Sequence, residues 1–309
     1  MTSLLLLETL SPLHAGTGQS TGAVDLPIAR ERATHLPYLP GSSLKGSLRD
    51  RAQAAGNGAN VTAVFGPDTA NASDSAGAVA FGDANLLLLP VRSVAGTFAW
   101  VTSALLLERL ARDARDAGLK ALAAAAAECA NLAKPQDNCF VLAGHRLAVQ
   151  VPQQKGGPVT RVVLEDFDLQ IAAEAVSGDG LHTLATELAK YLFPQDSGAQ
   201  QRFQSRLCVV HDDLLSYLAL HGTDVVTRVA LDDNSKTVKQ GQLWTEENLP
   251  VGTILVSVIQ PLPNAKSGLK APELTKQIAD LAKLPIQLGG KASVGRGRCQ
   301  LQLVQGGQR

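Results

Sequence analysis

Apolar and polar positions change rhythm along this chain, and each change marks a different element. Leu4 to Leu10 is a compact apolar run that reads as a short buried strand. Ser42 or Ser43 suits the N-cap of a helix that continues to about Ala55. Gly56 to Gly77 is rich in Gly, Asn, Ser and Ala and reads as a long, partly disordered loop. Ala78 to Val91 places apolar residues on both faces of a strand. Ala104 to about Ala133 predicts one long Ala/Leu/Arg helix, with Glu108-Arg109 and Arg112-Asp113 as surface charges. Gln150 to Gly157 is turn chemistry, and Val159 to Leu169 alternates enough for a strand. Leu181 to Leu192 is helical and ends at Phe193-Pro194.

The C-terminal half brings more extended segments. Leu207 to Val210 is a strand, and Asp212 to about Leu220 a helix with aspartate at its cap and first turn. Asp224 to Leu231 and Lys236 to Leu243 flank the turn residues Asp232-Asp-Asn-Ser235, which makes an extended β-hairpin. Thr253 to Gln260 is a core strand, Ala271 to Leu284 a helix stopped by Pro285, and Cys299 to Val304 a closing strand. Helices and strands alternate irregularly with hairpins, so the expected class is α+β rather than a parallel α/β sheet.

Composition narrows the function. The 309 residues suffice for a large core, and the formal net charge is zero. Bulk attraction to nucleic acid would need a basic chain, so any such contact must come from local patches. Two are present: Arg30, Arg32, Lys45, Arg49 and Arg51, and a tail with Lys283, Lys291, Arg296, Arg298 and Arg309. The four cysteines have no CxxC spacing and predict buried thiols in a reducing cytoplasm, neither a zinc site nor a disulfide framework. The Leu4–Leu7 run is too short for a signal segment, and no apolar run approaches a membrane span, so no membrane partner is expected.

Candidate chemistry concentrates near the N-terminus. His14-Ala-Gly-Thr-Gly18 leads to Gly22-Ala-Val-Asp25-Leu-Pro-Ile-Ala-Arg30, and then to Pro40-Gly-Ser-Ser-Leu-Lys45-Gly-Ser-Leu-Arg49. Glycine turns let a backbone approach a polyanion, and a helix N-terminus offers unpaired N–H groups to phosphate. Lys45 and Arg49 share a helical face. Gly16 to Gly22 lacks dinucleotide-loop spacing, and Gly41 to Lys45 lacks the Gly-Lys-Ser/Thr of a nucleotide-binding loop. His211-Asp212-Asp213 is better explained by a helix start than by a metal, because adjacent side chains diverge.

Four blocks together resemble the RAMP superfamily, specifically the repeated backbone subunit of type III-B CRISPR interference complexes. They are His14-x-Gly-x-Gly18 with Gly22-Ala-Val-Asp25-x-Pro-Ile-x-Arg30; Pro40-Gly-Ser-Ser-Leu-Lys-Gly46-x-Leu-Arg49; Val225-Val-Thr-Arg228, Lys236-Thr-Val238 and Gly241-x-Leu-Trp244-x-Glu246-Glu247-x-Leu-Pro250; and Leu288-Gly-Gly-x-Ala-Ser-Val-Gly295-x-Gly297. The resemblance implies a modified ferredoxin-like or RNA-recognition fold: an antiparallel sheet with helices on one face, helical insertions and an extended thumb hairpin. It implies a single domain over 1–309, with an insertion at about 56–200 and the thumb at about 223–249. Copies would stack along a CRISPR guide RNA beside other subunits of the complex. The thumb would interrupt the guide–target duplex at regular intervals.

By the same resemblance, Asp25 is the residue required to cut target RNA, with His14 and Glu246 at positions implicated around that site. An aromatic is common two residues after Glu246; here Asn248 stands there. Ser42, Ser43, Lys45, Arg49, Arg228, Lys291 and Arg296 are then the expected RNA contacts. RNA carries its own nucleophile, the 2′-OH, so the protein need only align it, move protons and stabilise charge. Asp25 is a candidate base or ligand of a divalent cation, Mg²⁺ or Mn²⁺. The alternatives are a catalytically inactive guide-binding filament subunit and an unrelated phosphate-binding enzyme.

Overall fold

The computed structural model describes residues 2–20, 22–56, 58–67, 76–132, 136–153, 157–172, 179–232, 238–262 and 268–307. In chain order the elements are β1 (Ser3–Thr9), β2 (Tyr38–Leu39), α1 (Gly41–Ala54), α2 (Gly58–Phe65), β3 (Val79–Phe81), β4 (Ala84–Arg92), β5 (Phe98–Ser103), α3 (Ala104–Asp116), α4 (Lys120–Ala130), β6 (Asn138–Val141), β7 (Ala148–Val151) and β8 (Val159–Leu164). They continue as β9 (Phe167–Ile171), α5 (Asp179–Leu192), α6 (Ser197–Gln204), β10 (Leu207–Val210), α7 (Asp212–His221), β11 (Asp224–Leu231), β12 (Val238–Asn248), β13 (Ile254–Pro261), α8 (Ala271–Ala282), β14 (Ile286–Gln287) and β15 (Arg298–Val304).

One curled sheet runs β14-β15-β1-β13-β4-β5-β10-β6-β9-β8-β7, with β2 added on β4 and β3 on β13. Its pairs are antiparallel except β5 with β10 and β6 with β9. This is the α+β architecture expected, but helices cover both faces rather than one. The reason lies in Leu4-Leu-Leu-Leu7: side chains alternate across a strand, so a continuous apolar run needs cover on each side. Leu5 and Leu7 join a core with Leu44 and Leu48 of α1, Leu215 of α7 and Ile278 of α8. Leu4 and Leu6 join a second core with Leu107 and Leu110 of α3, Leu122 of α4 and Leu184 and Leu188 of α5.

Several boundaries differ from expectation. The single helix over 104–133 is two, because Gly118 turns the chain at φ 73°. The strand over 78–91 breaks at Gly82-Asp83, and the strand over 159–169 is the hairpin β8–β9 with Glu165 at φ 48°. Part of the expected loop over 56–77 is helix α2, while 68–75 lie outside the described residues. α1 begins at Gly41, and neither Ser42 nor Ser43 caps it: the Gly41 N–H donates to Asp83 Oδ1 at 2.7 Å. Likewise α7 is capped by His211 Nδ1, which accepts from Asp213 N, while Asp212 Oδ1 accepts from Leu105 N at the start of α3. Arg109 is no loose surface charge; it grips Glu31 with two bonds, at 2.6 and 3.0 Å.

β11 and β12 form a separate two-stranded sheet, the expected hairpin, with a bulge between Val229 and Leu231. Of its expected turn, Asp232–Ser235, all but Asp232 lies outside the described residues. All four cysteines are buried. No helix among the described residues is long and apolar enough to cross a membrane.

Candidate active site

The segment 13–30 has little regular structure, yet it is tied to the base of the hairpin at several points. Leu13 bridges Leu249, Leu26 bridges Glu246, and His14 bridges Gly290 of the glycine-rich loop. Three parts remote in sequence therefore share one place: the Asp25 segment, the end of β12, and the loop Leu288–Gly297.

Asp25 and Thr245 hold each other reciprocally. The Asp25 N–H donates to Thr245 Oγ1 at 2.9 Å, and Thr245 returns bonds from its N–H (2.7 Å) and hydroxyl (2.8 Å) to Asp25 Oδ2. The backbone N–H bond from Thr245 is the main reason the Asp25 carboxyl lies below its ordinary pKa, with the hydroxyl bond adding to it. Both bonds fall on Oδ2, so Oδ1 accepts none from another described residue. Asp25 is exposed at the edge of a cleft of about 550 Å³ lined also by Ser20, Trp244 and Lys291.

His14 is buried and fixed. Its Nδ1 donates to the Glu247 carbonyl at 2.7 Å, since a carbonyl can only accept, and this leaves Nε2 as the variable ring nitrogen. Glycine is required on both sides of it. A Cβ at Gly16 would strike the imidazole, and one at Gly289, at φ 68°, would strike the His14 carbonyl.

Glu246 and Glu247 are neighbours with opposite surroundings. Glu247 is satisfied: Oε1 accepts from Arg30 (2.6 Å) and Thr223 (2.8 Å), and Oε2 accepts from the Ile28 N–H (3.1 Å). Glu246, 1% exposed, lies near two guanidinium groups, with Arg296 Nε 3.5 Å from Oε1 and Arg228 Nε 3.8 Å from Oε2. The patches read from sequence are accordingly partly neutralised. Arg30 belongs to Glu247, Lys283 to Asp280, Arg296 to Glu246, and Arg51 donates to the carbonyls of Leu281, Leu284 and Pro285 at the end of α8.

The structure thus gathers His14, Asp25, Glu246, Arg228, Lys291 and Arg296 at the hairpin base. The other expected contacts lie elsewhere. Ser42 and Lys45 line a second cleft of about 450 Å³ with Gly66, Pro67 and Gly77. Arg49 lies one turn on, its Nη1 donating to the Pro67 carbonyl at 2.8 Å. Among the described residues no group of three His, Cys, Asp or Glu could hold a metal. Asp25 is a single carboxylate; it fits a cation only of the kind that keeps most of its ligands as water and phosphate.

Sequence reasoning passed over Thr245 and Glu247 as functional residues. Thr245 offered no signal, because its value lies in a partner 220 positions away. Glu247 did offer one: an acid repeated beside Glu246, just before the apolar Leu249-Pro250, needs a cation, and Arg30 was available.

Residues 6–300 match the model of the RAMP superfamily. The chain is 32% identical to the CRISPR system Cmr endoribonuclease Cmr4 of Pyrococcus furiosus, over 98% of this chain and 95% of that one. It is 23% identical to the CRISPR system CMR subunit Cmr4 of Saccharolobus solfataricus, over 96% and 94%. The crystal structure of oligomeric Cmr4 from Pyrococcus furiosus superposes with a TM-score of 0.71 at 25% identity, covering 99% of each chain. A chain of the Type III-B Cmr-beta bound to cognate target RNA shares the fold, with a TM-score of 0.71 at 19% identity over 98% and 97%. By a match that spans nearly its whole length, and by a full-length relative, the chain belongs to the RAMP superfamily.

Proposed function

We propose that this protein is the repeated backbone subunit of a type III-B CRISPR effector complex, binding guide RNA and cutting complementary target RNA through Asp25. The carrying observation is the exposed Asp25 carboxylate clamped to the base of the hairpin by Thr245. We read 1–309 as one RAMP domain with an insertion at about 56–200 and a thumb at about 223–249. Guide RNA, target RNA, further copies of this chain and other subunits are the partners, and the cytoplasm the place of work. The named endoribonuclease and the oligomeric relative support this reading.

In the reaction the 2′-oxygen of the target attacks the adjacent phosphorus while the bond from phosphorus to O5′ breaks. The products are a 2′,3′-cyclic phosphate and a 5′-hydroxyl, with no water consumed. The 2′ proton passes to Asp25, whose lowered pKa keeps it ionised at neutral pH. The O5′ leaving group takes a proton from Nε2 of a doubly protonated His14 ring, whose Nδ1–H stays on the Glu247 carbonyl. A divalent cation, Mg²⁺ or Mn²⁺, held by Asp25 would neutralise phosphate charge. Ser42, Ser43, Lys45 and Arg49 hold the guide backbone, which carries no sequence information; base pairing reads the target.

End-group analysis of cleaved target in the guide-loaded complex tests the chemistry: cyclic phosphate and 5′-hydroxyl are expected, and 3′-hydroxyl with 5′-phosphate would overturn it. Cuts that persist in Asp25→Ala would leave this chain as a guide-binding filament subunit.

A further inference from the structure

We infer that Glu246 is a positioning residue that aims Arg296 at the scissile phosphate, and that Arg296, not Glu246, touches the reacting atoms. The inference rests on the Asp25 reading above. Glu246 is too deeply placed to exchange a proton with RNA: its side chain is 2% exposed, while those of Arg228 and Arg296 beside it are 32% and 16% exposed. An incoming phosphate therefore meets the guanidinium groups before it meets the acid.

The contact is also an unfinished one. Glu246 Oε1 and Arg296 Nε are both buried and have no hydrogen-bond partner among the described residues, although they stand 3.5 Å apart. Buried charged groups normally complete their bonds, because an orphaned one costs stability. Two more orphans lie on the same face of β12, at every second position: Trp244 Nε1 and Asn248 Oδ1. Trp244 lines the Asp25 cleft, whereas Glu246 and Asn248 lie closed off behind it at 1% and 0% exposure, so a ligand can meet this row only at its Trp244 end and through the Arg296 side chain, 16% exposed.

The Arg296 backbone is held firmly while its head group is not. Gly295 and Gly297 flank it at φ 80° and 76°. The Gly297 N–H donates to the Pro12 carbonyl at 2.8 Å, and the Arg296 carbonyl accepts from Gln287 Nε2. Asp224, at the foot of β11, is a second acid within the field of Arg296: burial pushes its carboxyl above the ordinary value and the Arg296 charge only partly offsets this. Glu246 and Asp224 thus attract one guanidinium without saturating it, which fixes its direction and leaves its donors for substrate. As the 2′-oxygen bonds to phosphorus and O5′ departs, negative charge grows on the non-bridging oxygens. A cation already in place stabilises that state more than the ground state.

The test is single-turnover target cleavage in guide-loaded complexes across a pH series, with Glu246→Gln, Arg296→Ala, Arg296→Lys, the Glu246→Gln/Arg296→Ala double variant and Asp25→Ala. Arg296→Ala is expected to slow cleavage by about 10²–10³-fold, the scale of losing one charge-stabilising donor, with guide and target binding retained. Glu246→Gln is expected to slow it about tenfold, equally at every pH, and to add almost nothing to Arg296→Ala. Arg296→Lys should restore part of the rate. Loss of one limb of the pH profile in Glu246→Gln would overturn the inference, as would additive effects or normal cleavage by Arg296→Ala. Arg296→Lys keeps a cation beside the buried Glu246 carboxylate, so it keeps the test valid should a charge-removing variant fail to fold. If Asp25→Ala still cuts, the Asp25 reading fails instead.

Discussion

The hairpin base and the α1 cleft are both candidate RNA contacts, yet they are built by opposite means. At the hairpin base, side chains bond across more than 200 positions of sequence: Asp25 with Thr245, Arg30 with Glu247, His14 with the Glu247 carbonyl. At α1 the frame is the helix itself, seated by Leu44 and Leu48 in the core and capped from outside by Asp83. The first region fixes particular atoms for chemistry, where small displacements are costly. The second presents charge and N–H groups to a backbone, where position is tolerant. Substitutions should therefore fall on different observables in the two regions.

The largest effect is expected from Asp25→Ala. Asp25 is exposed, so the variant should fold and bind guide and target normally while cleavage falls by about 10²–10⁴-fold or more, the range for removing a proton-transfer group. Gel analysis of regularly spaced cuts beside a binding assay checks both halves. A parallel loss of binding would mean that the two regions are not separable.

Glu247→Ala comes next, and its effect is on stability. It takes the carboxylate from the Arg30 guanidinium, which keeps only the His35 and Ala219 carbonyls, and strands the Thr223 hydroxyl and the Ile28 N–H at a site where Glu247 is 5% exposed. Breaking a buried pair on one side costs about 3–5 kcal/mol. Chemical denaturation should show a lower midpoint, with cleavage reduced because the Ile28–Arg30 end of the Asp25 segment loses its side-chain tie to Glu247. Arg49→Ala, which frees only the Pro67 carbonyl, should cost about 1 kcal/mol. Equal losses would erase the contrast between the regions.

Thr245→Val is subtler and tests the clamp alone. It keeps the bond from the Thr245 N–H and removes both hydroxyl bonds, the one donated to Asp25 Oδ2 and the one accepted from the Asp25 N–H, so the Asp25 carboxyl should rise toward its ordinary value. The folded pKa of Asp25 is depressed, so its contribution is present above the unfolded value and is lost as pH falls through the folded one. In the variant that contribution is smaller, and its loss is complete at a higher pH. The acid limb of cleavage should move upward, with the neutral-pH rate changed only several-fold, on the scale of one hydrogen bond. An unmoved acid limb would show that Asp25 ionisation does not govern the reaction.

What was legible in the sequence follows the same division. Elements whose cause is local were readable: the buried run at Leu4–Leu7, the helix over Asp212–Leu220 and the paired segments of the hairpin. Wrong boundaries came where one residue type has two meanings. Gly118 sits in an alanine-rich stretch that favours helix, and its left-handed turn needs context. Ser42 and Ser43 are good caps by type, but a tertiary partner, Asp83, took the role. The motif residues His14, Asp25 and Glu246, which the proposed function uses, stood out because blocks of chain carry them. Thr245 was not, since nothing near it in sequence announces Asp25. Helices on both faces of the sheet were implied by four consecutive leucines, and were missed because the resemblance suggested one layer.

Lys45→Ala should have the smallest effect, and it sharpens the comparison from the other side. Lys45 lines the second cleft with Ser42, a position suited to one phosphate. Losing one phosphate contact to a single strand lowers the slope of log affinity against log salt by about 0.7. Guide binding should weaken modestly at low salt and by less at high salt. Cleavage per loaded complex should be unchanged, because the proposed function places the reacting atoms against Asp25 and the hairpin rather than against α1. A changed cleavage rate in saturated complexes would mean that α1 also sets the register of the target at the hairpin. The tolerant platform would then be part of the chemistry.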